Sequence, residues 1–216
     1  MALLPRLLAR GPWGPDQVEV SWREDHFKPS SEQSAQADAE IDALRQRGSP
    51  SHDGLAARLA NYGGGHDLLE LELQPVRWAL RLLDGGACDS LTSLCVVRSE
   101  DGRWLAGRRA SWLSTWTDRW ALGAGGAVEV GESPVSTLAR ELHEEWQLEP
   151  VRLQVEALIR LPSGLAMLVG LATVSAGAEP VPDDEHEEFA WWPADVSRWP
   201  READRRLRLM GKMLAR

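Results

Sequence analysis

The sequence is poor in cysteine and has no long apolar run, and both absences exclude classes of protein. Its two cysteines, Cys88 and Cys95, form no CxxC pair and match no zinc-binding spacing. So few cysteines fit a reducing compartment, and we expect a cytoplasmic protein. No run of about 18 apolar residues predicts a membrane span. The short apolar start is interrupted by Pro5 and Arg6, which argues against a signal peptide.

Basic charge is also in short supply. The net charge is −9, whereas a protein that binds nucleic acid needs a basic surface for the phosphates. With 216 residues, of which 43% are hydrophobic, the chain is long enough to bury a core. We expect a small-molecule substrate, with no nucleic-acid or membrane partner.

The chain divides into three parts at changes in composition. Residues 1–14 are interpreted as an N-terminal tail, either loose or docked. Residues 15–86 are predicted to form an extension with strands and one helix, ending near Gly85 and Gly86. Residues 87–216 are predicted to form the main domain.

Strands and helices alternate in the main domain. Two apolar runs flank Asp101 and Gly102, a favoured turn pair, and predict a hairpin. A loop rich in Trp and Gly follows, then a helix over residues 134–147, two further strands, an acidic loop and a C-terminal helix. This order predicts an α+β fold with helices packed on a sheet.

The helix over residues 134–147 carries most of the functional signal. At 100° per residue, its apolar side chains fill one sector and predict the buried face. Glu141, Glu144 and Glu145 fill another sector, with Arg140 as the only cation of the helix. Glutamate-rich amphipathic helices are common on protein surfaces. A divalent cation would explain the crowding better, because Mg²⁺ prefers carboxylate and carbonyl oxygens.

The segment before the helix fits the same interpretation. Gly125 and Gly126 permit a tight turn that could direct a backbone carbonyl at a metal ion. Glu132 lies eight residues before Arg140 and is near enough to form an ion pair with it. Such a pair would brace the loop against the helix.

These residues together resemble the Nudix box, Gly-x5-Glu-x7-Arg-Glu-U-x-Glu-Glu-x-Gly-U, where U is bulky and aliphatic. Gly126, Glu132 and the run from Arg140 to Leu148 match every defined position except one, where Gln147 replaces glycine. Glycine there usually caps the helix in a left-handed conformation, so we expect Gln147 to cost about 1 kcal/mol of stability without removing a ligand. The resemblance covers roughly residues 88 to 200.

The resemblance implies a Nudix-type α/β/α sandwich with a mixed sheet, preceded by the strand-containing extension. It implies hydrolysis of a nucleoside diphosphate linked to another group, with Mg²⁺, or Mn²⁺ in its place, as cofactor. The implied metal ligands are Glu141, Glu144, Glu145 and the Gly125 carbonyl. The implied catalytic residues are Glu141, Glu185 and Arg140, and Glu185 and Glu141 compete as general base. A homodimer is also implied.

Substrate recognition must lie outside the box. Arg108 and Arg109 could hold a phosphate, and Trp116 could stack on a base, although surface arginines and core tryptophans are common alternatives. The extension around Arg58 and Leu59 is loosely similar to Nudix proteins that hydrolyse UDP-sugars, which favours an NDP-sugar such as a UDP-sugar or ADP-ribose. Removal of damaged nucleoside triphosphates and a non-catalytic nucleotide-binding module remain as alternatives.

Overall fold

The structure is a computed structural model that describes residues 5–49, 53–113 and 116–215. Its strands are β1 (Arg6–Trp13), β2 (Val18–Trp22), β3 (Leu55–Gly64), β4 (Leu69–Arg77), β5 (Leu91–Ser99), β6 (Trp104–Arg109), β7 (Trp120–Leu122), β8 (Ala124–Ala127), β9 (Arg152–Arg160), β10 (Ala166–Val174) and β11 (His186–Trp192). Its α-helices are α1 (Ser31–Gln46), α2 (Pro134–Trp146) and α3 (Arg205–Leu214), and short 3-10 turns occupy Pro15–Gln17, Trp78–Leu82 and Val196–Arg198.

A mixed eight-stranded sheet forms the centre of the main domain. Its order is β1-β9-β10-β5-β6-β11, with β8 beside β5 and β7 beside β6. The β5–β10 pair is parallel, whereas β9 and β6 run antiparallel to their neighbours. Such a sheet buries both faces only if a layer packs on each side.

The two faces of this sheet are covered by different helices. In β5, Cys95 and Val97 face the core that contains Leu138 of α2, because alternate side chains of a strand point to opposite faces. Val96 faces the other way, into a second core that contains Leu207 of α3. This arrangement confirms the predicted α+β sandwich with a mixed sheet.

The extension forms a second, three-stranded sheet with the order β2-β4-β3. Helix α1 packs on it through Ile41 and Leu44, both fully buried as their spacing predicts. Strand β3 is bonded to the main domain, since the Ala57 amide donates to the carbonyl of Val128 at 2.8 Å. The extension therefore touches the loop that leads into α2.

Several elements differ from the sequence prediction. Residues 6–13 of the supposed tail form β1, which pairs with β9 and covers an edge that would otherwise be unpaired; residues 1–4 lie outside the described residues. The Trp- and Gly-rich loop contains β7 and β8. Strand β11 begins at His186, inside the predicted acidic loop. The described helices include none long and apolar enough to cross a bilayer.

Candidate active site

Helix α2 is held tightly on the sheet at both ends. Ser133 caps it, with its hydroxyl accepting from the Val135 amide, and Pro134 fits the first turn, where no amide partner is needed. At the other end Trp146 is fully buried, and its Nε1 donates to the Gly123 carbonyl at 3.1 Å. The carboxylates on α2 are therefore presented by a rigid element.

The residue after α2, at the one departure from the box, has the left-handed conformation that glycine usually adopts there. Gln147 has φ 52° and ψ 36°, which is the left-handed conformation, and its amide donates to the His143 carbonyl. Glycine adopts this conformation without the steric cost that a Cβ atom brings. Gln147 is exposed and bonds only through its backbone amide, so its side chain takes no part in the site.

The predicted pair between Glu132 and Arg140 is present. The Arg140 Nε donates to Glu132 Oε1 at 3.0 Å, and its Nη2 donates to Oε2 at 3.2 Å. Burial disfavours the charge on Arg140, but the Glu132 hydrogen bond and the Glu141 charge outweigh it and raise the pKa of the guanidinium. This two-point contact fixes the loop against the helix and leaves Nη1 free for other carboxylates.

Glu141 lies directly over the glycine turn. A Cβ atom on Gly126 would overlap its carboxylate, which explains why the box needs glycine at this position. Burial, together with the neighbouring charge of Glu144, raises the pKa of Glu141 to about 7 even though Arg140 Nη1 lies 2.8 Å away. A carboxylate held in this way gains from an added cation.

Glu145 is almost completely buried, with 3% of its surface exposed. Its Oε1 accepts the Gly125 amide at 2.7 Å, so Gly125 contributes a donor to this side chain. Burial raises the pKa of Glu145 well above its ordinary value, and the charges of Glu185 and Glu141 add to this. Its Oε2 is buried without a hydrogen-bond partner among the described residues. An orphaned carboxylate oxygen of this kind fits a cation ligand.

The three glutamates share one sector of the helix but differ in exposure and in the residues they contact. Glu144 is exposed and pairs with Arg140 Nη1 at 2.8 Å. Within the described ranges, no group of three or more His, Cys, Asp or Glu side chains is arranged around one point as metal ligands are. Arg140 holds Glu141 and Glu144, while Glu145 faces the glycine turn. The metal-ligand set, including the Gly125 carbonyl, therefore stays a prediction.

The acidic loop brings Glu185 beside this group. The amides of Val181 and Asp183 donate to the carbonyls of Trp146 and Glu145, which ties the loop to the end of α2. Glu185 then pairs with Arg109, whose Nη2 lies 3.2 Å from Oε2. Of the predicted residues, Glu185 and Arg109 thus join the carboxylates of α2.

The other two predicted substrate residues are Arg108 and Trp116, and Arg108 is directed away from this group. Arg108 follows Gly107 on β6 and points to the face opposite Arg109. It pairs with Asp118 and lines a surface cavity of about 470 Å³ that also contains Asp204, next to α3. Trp116 lies in the loop between β6 and β7 with 38% of its surface exposed. The structure thus separates Arg108 from Arg109.

Two residues that the sequence analysis missed lie at the site. Arg81, in the 3-10 turn of the extension, lies within electrostatic range of Glu141, Glu185 and Arg109, and burial lowers the pKa of its guanidinium below the ordinary value. Its guanidinium lies 5.5 Å from the centre of the Trp78 ring and has no hydrogen-bond or ion-pair partner among the described residues. His186 is buried, with its Nε2 3.6 Å from Glu145 Oε2. Both approach α2 through tertiary contacts, which spacing along the chain does not show.

Comparison with known proteins identifies the family of the domain that carries these residues. A NUDIX domain matches residues 90–210, which is more than half of the chain. No curated protein matches the sequence. Among solved structures, a MutT protein from Methanosarcina mazei Go1 is similar, with 22% identity over 57% of this chain and 92% of that one, at a TM-score of 0.42.

Two other solved structures are similar to about the same degree. A C. elegans Ap4A hydrolase binary complex shares 17% identity over 57% of this chain and 92% of that one, at a TM-score of 0.45. The NUDIX domain of Shewanella oneidensis NrtR, complexed with ADP ribose, shares 23% identity over 51% of this chain and 77% of that one, at a TM-score of 0.43. Because the domain match covers more than half of the chain, including the box and strands β5 to β11, this chain belongs to the Nudix family and is a Nudix hydrolase.

Proposed function

We propose that this Nudix hydrolase cleaves the diphosphate of a nucleoside diphosphate linked to another group, with an NDP-sugar, such as a UDP-sugar or ADP-ribose, as the substrate class. One observation supports the proposal: Arg81, in the extension outside the Nudix domain, lies within electrostatic range of the box carboxylate Glu141 and has no hydrogen-bond or ion-pair partner among the described residues. A diphosphate with a bulky second group needs contacts on both sides of the bond that breaks, and the extension supplies a second side.

Divalent metal cations are the general cofactors of Nudix hydrolases. Glu141, Glu144 and Glu145 are the proposed ligands of Mg²⁺, with Mn²⁺ as an alternative, joined by the Gly125 carbonyl. The buried, unpartnered Oε2 of Glu145 and the raised pKa of Glu141 support this assignment. When bound, the ion supplies charge neutralisation at the diphosphate and a lower pKa for bound water.

Arg140 has a defined part in this proposal. Glu132 holds its Nε and Nη2, so only Nη1 would leave Glu141 and Glu144 when these carboxylates bind a cation. The guanidinium would then stay in place and continue to brace the loop. Arg140 therefore acts by positioning the ligands.

Two glutamates are proposed as alternatives for the general base. Glu141 is mostly buried on α2, and Glu185 is partly exposed on the acidic loop and paired with Arg109. A general base must reach the proton it removes while holding no metal ion through the same oxygen. Glu185 meets the second condition, because its loop position leaves it outside the ligand set proposed here.

A substrate panel with Mg²⁺ tests the proposal. The purified protein is incubated with UDP-sugars, ADP-ribose, dinucleoside polyphosphates, coenzyme A and oxidised deoxynucleoside triphosphates, and the phosphate-containing products are identified. We expect the highest kcat/KM on an NDP-sugar. A preference for oxidised triphosphates would replace the NDP-sugar assignment with removal of damaged nucleotides. If no substrate of the panel is hydrolysed but a nucleotide raises Tm, a non-catalytic binding module would be favoured.

A further inference from the structure

Two buried polar atoms near the site face each other without completing a hydrogen bond. Glu145 Oε2 and His186 Nε2 are 3.6 Å apart, and their side chains are 4% and 1% exposed. Neither atom has another hydrogen-bond partner among the described residues. Buried polar atoms are rarely left unpaired, and 3.6 Å is only slightly too long for a hydrogen bond.

The imidazole ring is fixed in this position from several sides. It packs against the Trp146 ring at an interplanar angle of 39°, with a distance of 4.2 Å between ring centres. Its Nδ1 faces Asp183 Oδ1 at 3.4 Å. On β6, a Cβ atom at Gly107 would run into both rings, so only glycine leaves room for the stack. A small shift of the Glu145 carboxylate would therefore close the gap, whereas the ring has little freedom to move.

We propose that His186 is a positioning residue for Glu145, whose carboxylate it orients for cation binding by donating from Nε2 to Oε2. This inference rests on the proposed function, because it takes Glu145 as a metal ligand. A carboxylate offers about four lone-pair directions. The Gly125 amide occupies one on Oε1 and His186 one on Oε2, which leaves the remaining directions for the ion.

The arrangement has a clear physical purpose. A buried glutamate with one free oxygen can rotate, and each rotation changes the direction in which it meets a metal ion. Donors behind a ligand restrict that rotation, and their loss typically weakens metal binding by about 10–100-fold. Only proline would remove the backbone amide of Gly125, and a proline there would also disturb the pairing of β8 with β5, so His186 is the donor that mutation can test cleanly.

Mn²⁺ binding to the full-length protein without substrate tests the proposal. His186→Phe keeps the stack on Trp146 and the volume but loses the donor. We expect it to raise the Mn²⁺ dissociation constant by about 10–100-fold, as measured by electron paramagnetic resonance of free Mn²⁺. His186→Gln, which can place an amide N–H near the Nε2 position, is expected to recover most of the affinity. His186→Asn, whose amide reaches only the Nδ1 position, is expected not to recover it.

The partner is tested by repeating His186→Phe in a Glu145→Gln background, where no further loss of Mn²⁺ affinity is expected. Wild-type affinity in His186→Phe, or an equal further loss in the Glu145→Gln background, would overturn the positioning role. If His186→Phe fails to fold, the test uses His186→Gln and His186→Asn instead. The proposal requires the Gln variant to bind Mn²⁺ more tightly than the Asn variant, and equal affinities would overturn it. A wild-type protein that binds no Mn²⁺ would instead remove the proposed function itself.

Discussion

The substitution Gly126→Ala should separate the chemistry of the site from the stability of the fold. The new Cβ atom would overlap the carboxylate of Glu141, to which its three nearest atoms all belong. The end of a glutamate side chain can swing away at little cost, so the protein should fold normally. The displaced carboxylate, however, can no longer take the position over the glycine turn that the proposed metal site requires.

The size of the effect follows from the distance involved. Relieving the overlap requires Glu141 to move by about 1 Å, and misplacement on that scale costs about 100-fold in rate. This corresponds to about 2.7 kcal/mol of transition-state stabilisation. We expect kcat with Mg²⁺ on the best substrate to fall by about this factor, while Tm changes by less than about 2 °C.

Two neighbouring substitutions provide matched controls. Gly125→Ala would place a Cβ atom 2.6 Å from the backbone carbonyl of Ser93, which cannot move away, so this variant should lose stability as well as activity. Gly177→Ala meets no atom within 4 Å and should change neither property. A Gly126→Ala enzyme with full kcat, or one as unstable as Gly125→Ala, would refute the reasoning.

Three further predictions follow from the same contacts. Gln147→Gly should raise stability by about 0.5–1 kcal/mol with kcat unchanged, because it removes the Cβ atom at a left-handed position; thermal unfolding checks this, and Gln147→Ala should show no gain. Arg81→Ala should raise KM for the best substrate by about 10-fold in steady-state assays, because it removes one hydrogen bond from a charged group. Arg201→Ala, at an exposed surface site, is the control and should leave KM unchanged. Glu145→Gln should lower kcat by at least about 100-fold, because a bound metal ion contributes several kcal/mol to catalysis. EDTA should abolish turnover until Mg²⁺ is restored. Full turnover in either case would exclude the ligand assignment.

The box and the helix that carries it could be predicted from the sequence because both depend on local spacing. The periodicity of α2 predicted that Leu138 and Trp146 lie in the core, and the structure buries both. At 100° per residue, Glu145 lies only about 20° from Leu138, which indicates that it differs from Glu141 and Glu144 and borders the buried face. Its burial follows from that position.

What could not be predicted depends on contacts between distant segments. Strand β1 forms because β9 offers an unpaired edge, and nothing within residues 6–13 announces that partner. His186 reaches Glu145 only because the acidic loop is bonded to the end of α2. The separation of Arg108 from Arg109 required knowing that both lie within β6, where adjacent side chains point to opposite faces.

The balance of charge at the site indicates where specificity originates. Arg140 is the arginine of the box, and it already forms ion pairs with Glu132, Glu141 and Glu144. Arg109 is likewise paired with Glu185. Under the proposed function, an anionic substrate meets positive charge in the metal ions and, among the described residues near the box, in Arg81, which the extension supplies. The metal ions would neutralise any diphosphate alike, so we expect the extension to discriminate between substrates, and exchanging its 3-10 turn should change substrate preference while leaving metal affinity intact.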